Sequence, residues 1–201
     1  GYESLRYNTS GDNNTGVGVN AMQANTTGAD NVGIGRNALI SNVDGNYNTA
    51  VGSQALDANT SANSNTAIGS IALTANSTGA ANTAVGRNAL GANTTADNNV
   101  AVGEGALESN TEGHSNTAVG SKAASTVTTG DENVAIGHGA LQSMATGNNG
   151  NTAVGTDTMA DANFDGGYNT AVGYNALLQA ETISGTTAIG NQTLDALTTG
   201  D

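Results

Sequence analysis

The sequence predicts an all-β chain: a parallel β-solenoid, or β-roll, of about twelve 17-residue coils. Three observations carry that prediction. Asn-Thr-Ala-Val-Gly and close variants begin at Asn14, Asn31, Asn48, Asn65, Asn82, Asn99, Asn116 and Asn133, each 17 residues after the last. The series continues at Asn151 and Asn169 after two steps of 18 and at Thr186 after 17, so single insertions are absorbed in the loop before the motif, and Gly1 closes a further copy. Turn residues and β-branched residues recur at fixed phases of the period. Leu, Ile, Val and Phe make up only about a sixth of the 201 residues, and the net charge is −13. A chain so composed stays disordered unless repetition lets each unit cover its neighbours.

Aligned on the closing glycine, a coil reads Gly-x-x-Ala-Leu-x-x-Asn-Thr-Thr-Gly-x-x-Asn-Thr-Ala-Val. Seventeen residues are too few for two helices, and the branched positions favour strand. Within Asn-Thr-Ala-Val the period is two, which sends Thr/Val and Val/Ile to one face and Ala/Gly to the other. The branched face is expected to line the interior as a core ladder of Val17, Ile34, Val51, Ile68, Val85, Val102, Val119, Ile136, Val154, Val172 and Ile189, a slot that no copy breaks. On that orientation, Asp at Val85 or Val102 would disrupt its coil and Asp at Ala80 would do little. The always-small slot at Gly16, Gly33, Ala50 and Ala67 then suits a surface pressed against another backbone, although a tight hairpin-like coil accounts for it too. Ala-Leu reads as a second short strand, and Asn-Thr-Thr-Gly as a turn.

The Asn after the second strand is the most informative polar position. It is Asn8, Asn25, Asn42, Asn59, Asn76, Asn93 and Asn110 in seven successive coils, then Val127 and Met144. Exchange with apolar residues points it inward, where stacked amides can bond coil to coil as a structural ladder. Five of these asparagines also spell Asn-x-Ser/Thr, but a glycosylated asparagine must face solvent, and the apolar exchange argues against that. Thr26, Thr27, Thr94 and Thr95 in the following turn are better candidates for O-linked sugar, although turn chemistry alone accounts for them.

Composition narrows the remaining chemistry. Without cysteine there is no disulfide framework and no thiolate site. Arg6, Arg36, Arg87 and Lys122 are scattered singly, so nucleic acid is not an expected partner. No run of 18 apolar residues exists to insert as a membrane helix. His114 and His138 occupy variable positions with no accompanying constellation, so no catalytic and no cofactor residue is assigned. Calcium is the one ion to weigh, through Asp12, Asp30, Asp97, Glu112, Asp131 and Glu132. Most coils offer a single carboxylate, too few oxygens for a dedicated site, so solvated loop charge is the expectation. Thr15, Thr49, Thr66, Thr83, Thr117, Thr152 and Thr170 form a rank that could order water, but Val32, Val100 and Val134 interrupt it. Sharing a face with Val/Ile, the rank is expected to be buried, which makes an ice-binding surface a lesser alternative.

From Asn48 to Gly52 followed by Ala55-Leu56, and again over residues 82–90, the text resembles the head repeats of trimeric autotransporter adhesins and the similar repeats of phage tail fibres. The likeness runs through essentially the whole chain, with a longer Asn-Thr-Thr-Gly turn, and no coiled-coil stalk, membrane anchor or chaperone domain is expected within residues 1–201. It implies a left-handed parallel β-roll, three copies of which associate through small-residue faces, here Ala50, Ala67, Ala84 and Ala118. The expected protein is a single solenoid over residues 1–201, open at both ends: a window of a longer array or the subunit of a head-to-tail filament. Its expected role is non-enzymatic and extracellular, as the shaft or head of a surface fibre on a cell or virion. The expected partners are other copies of the chain, as a trimer or filament. A segment that binds a host receptor or glycan is the alternative.

Overall fold

The computed structural model describes residues 1–144, 147–160, 165–179, 182–196 and 199–200. Three-residue strands recur once per coil: β1 Thr15–Val17, β2 Val32–Ile34, β3 Thr49–Val51, β4 Thr66–Ile68, β5 Thr83–Val85, β6 Val100–Val102, β7 Thr117–Val119, β8 Val134–Ile136, β9 Thr152–Val154 and β10 Thr170–Val172. β11 Thr182–Ile183, β12 Thr187–Ile189 and β13 Thr199–Gly200 follow. β1 to β10 and β12 stack in chain order as one 11-stranded sheet, and β11 pairs with β13 alone. All pairings are parallel, and each residue faces its equivalent one period away, as in Thr49↔Thr66, Ala50↔Ala67 and Val51↔Ile68. The register passes unbroken through both 18-residue coils. The fold is therefore a parallel β-solenoid, and among the described residues there is no helix.

The faces of the strands are the reverse of the expected ones. Ala50, Ala67, Ala84, Ala101, Ala118, Ala153 and Ala171 are fully buried or nearly so, whereas Val17, Ile34, Ile68, Val102, Val119, Ile136 and Ile189 are among the exposed large hydrophobics. Val51, Val85, Val154 and Val172 are half-buried on the same outer face. Interior thickness is the reason. The leucine slot fills the coil from the opposite wall, with Leu39, Leu56, Leu73, Leu90, Leu107, Leu141 and Leu177 at 0% exposure. A Cβ added at Gly33 would lie 2.6 Å from Met22 Cγ, and one at Gly16 would lie 3.1 Å from Leu5 Cγ. One wall can be large only if the other is small, so alanine is the inner residue and the branched residue is turned out.

Ala-Leu is not a strand. The segment is a pair of tight turns in which alternate residues take left-handed backbone, with φ of 58° at Asn37 and 53° at Leu39. A leucine there costs about 1 kcal/mol or more in local conformation. It is held because its side chain is buried and its N–H still donates to the next coil, Leu39 to Ala55 O at 3.0 Å and Leu56 to Ala72 O at 3.0 Å. The corner after each strand is a glycine by necessity: Gly86 has φ of +137°, and a Cβ there would overlap the Gly103 carbonyl of the next coil.

Candidate functional site

Three polar ladders tie coil to coil. The first is the buried amide series. Asn42 Nδ2 donates to Asn25 Oδ1 at 2.7 Å, Asn59 Nδ2 to Asn42 Oδ1 at 2.8 Å and Asn93 Nδ2 to Asn76 Oδ1 at 2.7 Å, and each amide also donates to the carbonyl three residues on, as Asn42 does to Gly45 O at 3.0 Å. Asn25 through Asn110 are fully buried, while Asn8 is exposed and accepts from Asn25 Nδ2 at 2.7 Å. The buried amides from Asn25 to Asn110 present no nitrogen to a sugar. Val127 takes the next place, and Asn110 Oδ1 is left without a donor.

The second ladder was not foreseen from sequence, although its signal, an asparagine at the same phase from Asn14 to Asn169, was in plain view. Asn48 N–H donates to Asn31 Oδ1 at 2.8 Å and Asn65 N–H to Asn48 Oδ1 at 3.0 Å, while each Nδ2 reaches the turn carbonyl of the following coil, as Asn65 does to Gly79 O at 2.8 Å. This ladder runs on through Asn151 and Asn169 after the first has ended. The third occupies the loop. Backbone N–H groups donate to the side chain one coil on: Ala29 to Asn46 Oδ1 at 2.8 Å, Asp97 to His114 Nδ1 at 3.0 Å and His114 to Asp131 Oδ1 at 2.7 Å.

Those bonds account for most of the chemistry-bearing side chains. Asp97 Oδ1 accepts from Ala80 N–H at 2.6 Å and Asp30 Oδ1 from Asn13 Nδ2 at 2.9 Å. Among the described residues, no three Asp, Glu or His side chains converge as metal ligands would. His138 lies 3.7 Å from Asp157 and apart from His114. In the Thr-Thr turns, Thr26 Oγ1 donates to Val43 O at 3.0 Å and Thr94 Oγ1 to Thr111 O at 3.3 Å, while Thr27 and Thr95 are exposed.

What remains open is the outer face of the sheet. Its two ranks are the first and third strand residues, Thr/Val and Val/Ile, across 11 strands. Val17 is 54% exposed, Ile68 41% and Ile136 40%. Among the described residues no strand carries a charged side chain, although the chain has a net charge of −13. From these exposures the Val/Ile rank alone offers on the order of 700 Å² of apolar surface, more than the largest patch of an ordinary monomer. The Ala50, Ala67, Ala84 and Ala118 faces, expected to meet other copies, are sealed within the chain and cannot do so.

Comparison with family models, curated proteins and solved structures gives no match. The features that bear on the role of the chain are this open face and the ladders behind it.

Proposed function

We propose that the chain is a non-enzymatic structural repeat rod, the shaft or head of an extracellular surface fibre, in which copies associate through the outer Thr/Val and Val/Ile face of the sheet. The observation that carries this reading is the exposed, uncharged, apolar face running through 11 strands. Water-exposed branched side chains in unbroken rank are costly for a solitary rod and are the core of an interface once a like surface covers them. On the order of 700 Å² is close to what one partner contributes to a stable complex. The ladders supply stiffness, since each coil is bonded to the next through both backbone and side chain. Receptor or glycan recognition by the assembled fibre remains a further role of the same class.

A second reading is favoured by one observation. The Thr15, Thr49, Thr66, Thr83, Thr117, Thr152 and Thr170 rank lies on the open face, beside Val/Ile, and not in the interior. Hydroxyl and methyl groups repeated at the strand spacing of about 4.8 Å can order water, which is the requirement for an ice-binding surface. One pair of measurements separates the two readings: mass in solution over a range of concentration, and thermal hysteresis with inhibition of ice recrystallisation. Defined multiples of the chain mass without ice activity support the fibre. A monomer that shapes ice would replace it, and a monomer without ice activity would sink both.

A further inference from the structure

The single lysine of the chain, Lys122, meets a carboxylate and an amide drawn from the two coils before it. Asn88, Gly105 and Lys122 hold the same phase of the repeat in three successive coils, in the tight turns that follow β5, β6 and β7, with φ of 58°, 63° and 61°. Backbone bonds tie each turn to the coil before it: Asn88 N–H donates to Ser70 O at 3.1 Å, Gly105 to Arg87 O at 3.0 Å and Lys122 to Glu104 O at 2.9 Å. Glu108 lies three residues beyond Gly105 and bonds in both directions. Its Oε1 accepts from Asn88 Nδ2 at 2.7 Å, and its Oε2 accepts from Lys122 Nζ at 2.5 Å. Glycine at the middle position makes room, since a Cβ at Gly105 would lie 2.8 Å from Lys122 Nζ and 3.0 Å from Lys122 Cδ. The lysine side chain thus lies back across Gly105, toward the coil of Asn88. The neighbouring charges do not compete for it, because Arg87 and Glu104 bond each other at 3.2 Å.

We propose that Lys122 and Asn88 become joined by an isopeptide bond within the folded chain, with Glu108 carrying the proton. One carboxylate touches both the amine that attacks and the amide that is attacked, so nucleophile, electrophile and proton carrier are already held together. Glu108 takes a proton from the Lys122 ammonium. The freed lone pair on Nζ forms the new bond to Asn88 Cγ, while the carbonyl electron pair moves onto Oδ1. Glu108 then gives its proton to Nδ2, and the nitrogen of Lys122 releases a second proton to solvent. As the carbonyl re-forms, the Cγ–Nδ2 bond breaks with its electron pair and ammonia leaves, which returns Glu108 to its carboxylate form. No oxidant or other reactant enters. Two coil steps separate the backbones of Asn88 and Lys122, about 10 Å, a span that an extended lysine, the new C–N bond and an asparagine side chain cover. The product is a covalent strap over the Gly105 coil that binds three coils together. It lies in the turns rather than on the open strand face, and does not rest on the self-association proposed above.

Intact mass spectrometry tests this on the full chain, freshly purified and after prolonged incubation at mildly alkaline pH, with circular dichroism to confirm that parent and variants stay folded. The parent is expected to yield a species lighter by one ammonia, in which proteolysis leaves the peptides of Asn88 and Lys122 joined. Lys122→Arg keeps the cation but should stay at full mass. Glu108→Ala should form the bond about 100-fold more slowly or worse, the loss that follows when a positioned proton carrier is removed. A folded parent whose mass never changes would overturn the proposal. So would an ammonia loss that persists in Lys122→Arg, which would place it at another amide, or a loss of water that joins Lys122 to Glu108 instead. Linkage in Glu108→Ala at the parent rate would overturn the role given to the carboxylate.

Discussion

The first amide ladder makes the same substitution cost different amounts at different rungs. Asn76 Nδ2 donates to Asn59 Oδ1 at 3.3 Å and to Gly79 O at 2.9 Å, and its Oδ1 accepts from Asn93 Nδ2 at 2.7 Å. Valine at this rung keeps nearly the same volume, so the cost is that of lost partners. Gly79 O retains Asn65 Nδ2 at 2.8 Å and Asn93 Nδ2 retains Ala96 O at 3.1 Å, but Asn59 Oδ1 loses its ladder donor and becomes a new buried orphan. With one orphaned acceptor and one half-satisfied donor, Asn76→Val should cost about 3 kcal/mol. At the end of the ladder the count differs. Asn110 Oδ1 has no donor already, so Asn110→Val merely passes the orphan to Asn93, and Gly113 O keeps Asn99 Nδ2 at 2.8 Å. That change should cost about 1 kcal/mol. Urea unfolding of the two variants beside the parent, followed by far-ultraviolet circular dichroism and by hydrogen exchange to expose any loss of cooperativity, measures the difference. Equal costs at the two rungs would refute the bond-by-bond account of the ladder.

The reversed faces predict opposite fates for neighbouring residues. Ala84→Val should overpack the interior and cost about 2 to 3 kcal/mol in thermal unfolding, since Ala84 is fully buried against the leucine wall. Val102→Asp, expected from the alternation alone to break its coil, should instead leave the circular dichroism spectrum intact and shift the solution mass to the monomer, because Val102 is 37% exposed. Leu90→Ala should cost about 3 kcal/mol by denaturant titration despite relieving a left-handed leucine, as the lost burial outweighs the relief. Gly86→Ala should be the harshest small change, about 3 kcal/mol or more, with its melting temperature below that of Ala84→Val.

The period, the parallel stacking and the inward asparagines were legible because they follow from spacing and from residue exchange down a column. Which strand face is interior was not. Alternation says that Val85 and Thr83 share a face and that Ala84 lies opposite, but it does not say which side is closed. The volume left by the facing leucines decides that, and this volume depends on how Leu90 is carried. Leucine's aversion to positive φ hid the tight turns, since nothing in Ala89-Leu90 announces a left-handed backbone at 51°. The better clue was the stricter column: the inner slot admits only Ala or Gly, while the outer one tolerates Val and Ile alike. Asn31 to Asn169 went unassigned as a ladder for a different reason. A residue present in nearly every coil has no exchanges to reveal its direction.

Each corner glycine from Gly18 to Gly173 lies beneath the carbonyl of the next, so the corners of successive coils are built alike even where the side-chain ladder changes. A gain or loss of 17 residues therefore leaves the remaining corner contacts as they were. Adding or removing one 17-residue unit lengthens or shortens the rod by about 4.8 Å without a new kind of corner contact. Reach can then change in whole steps, while a side chain at a corner would overlap the carbonyl of the next coil.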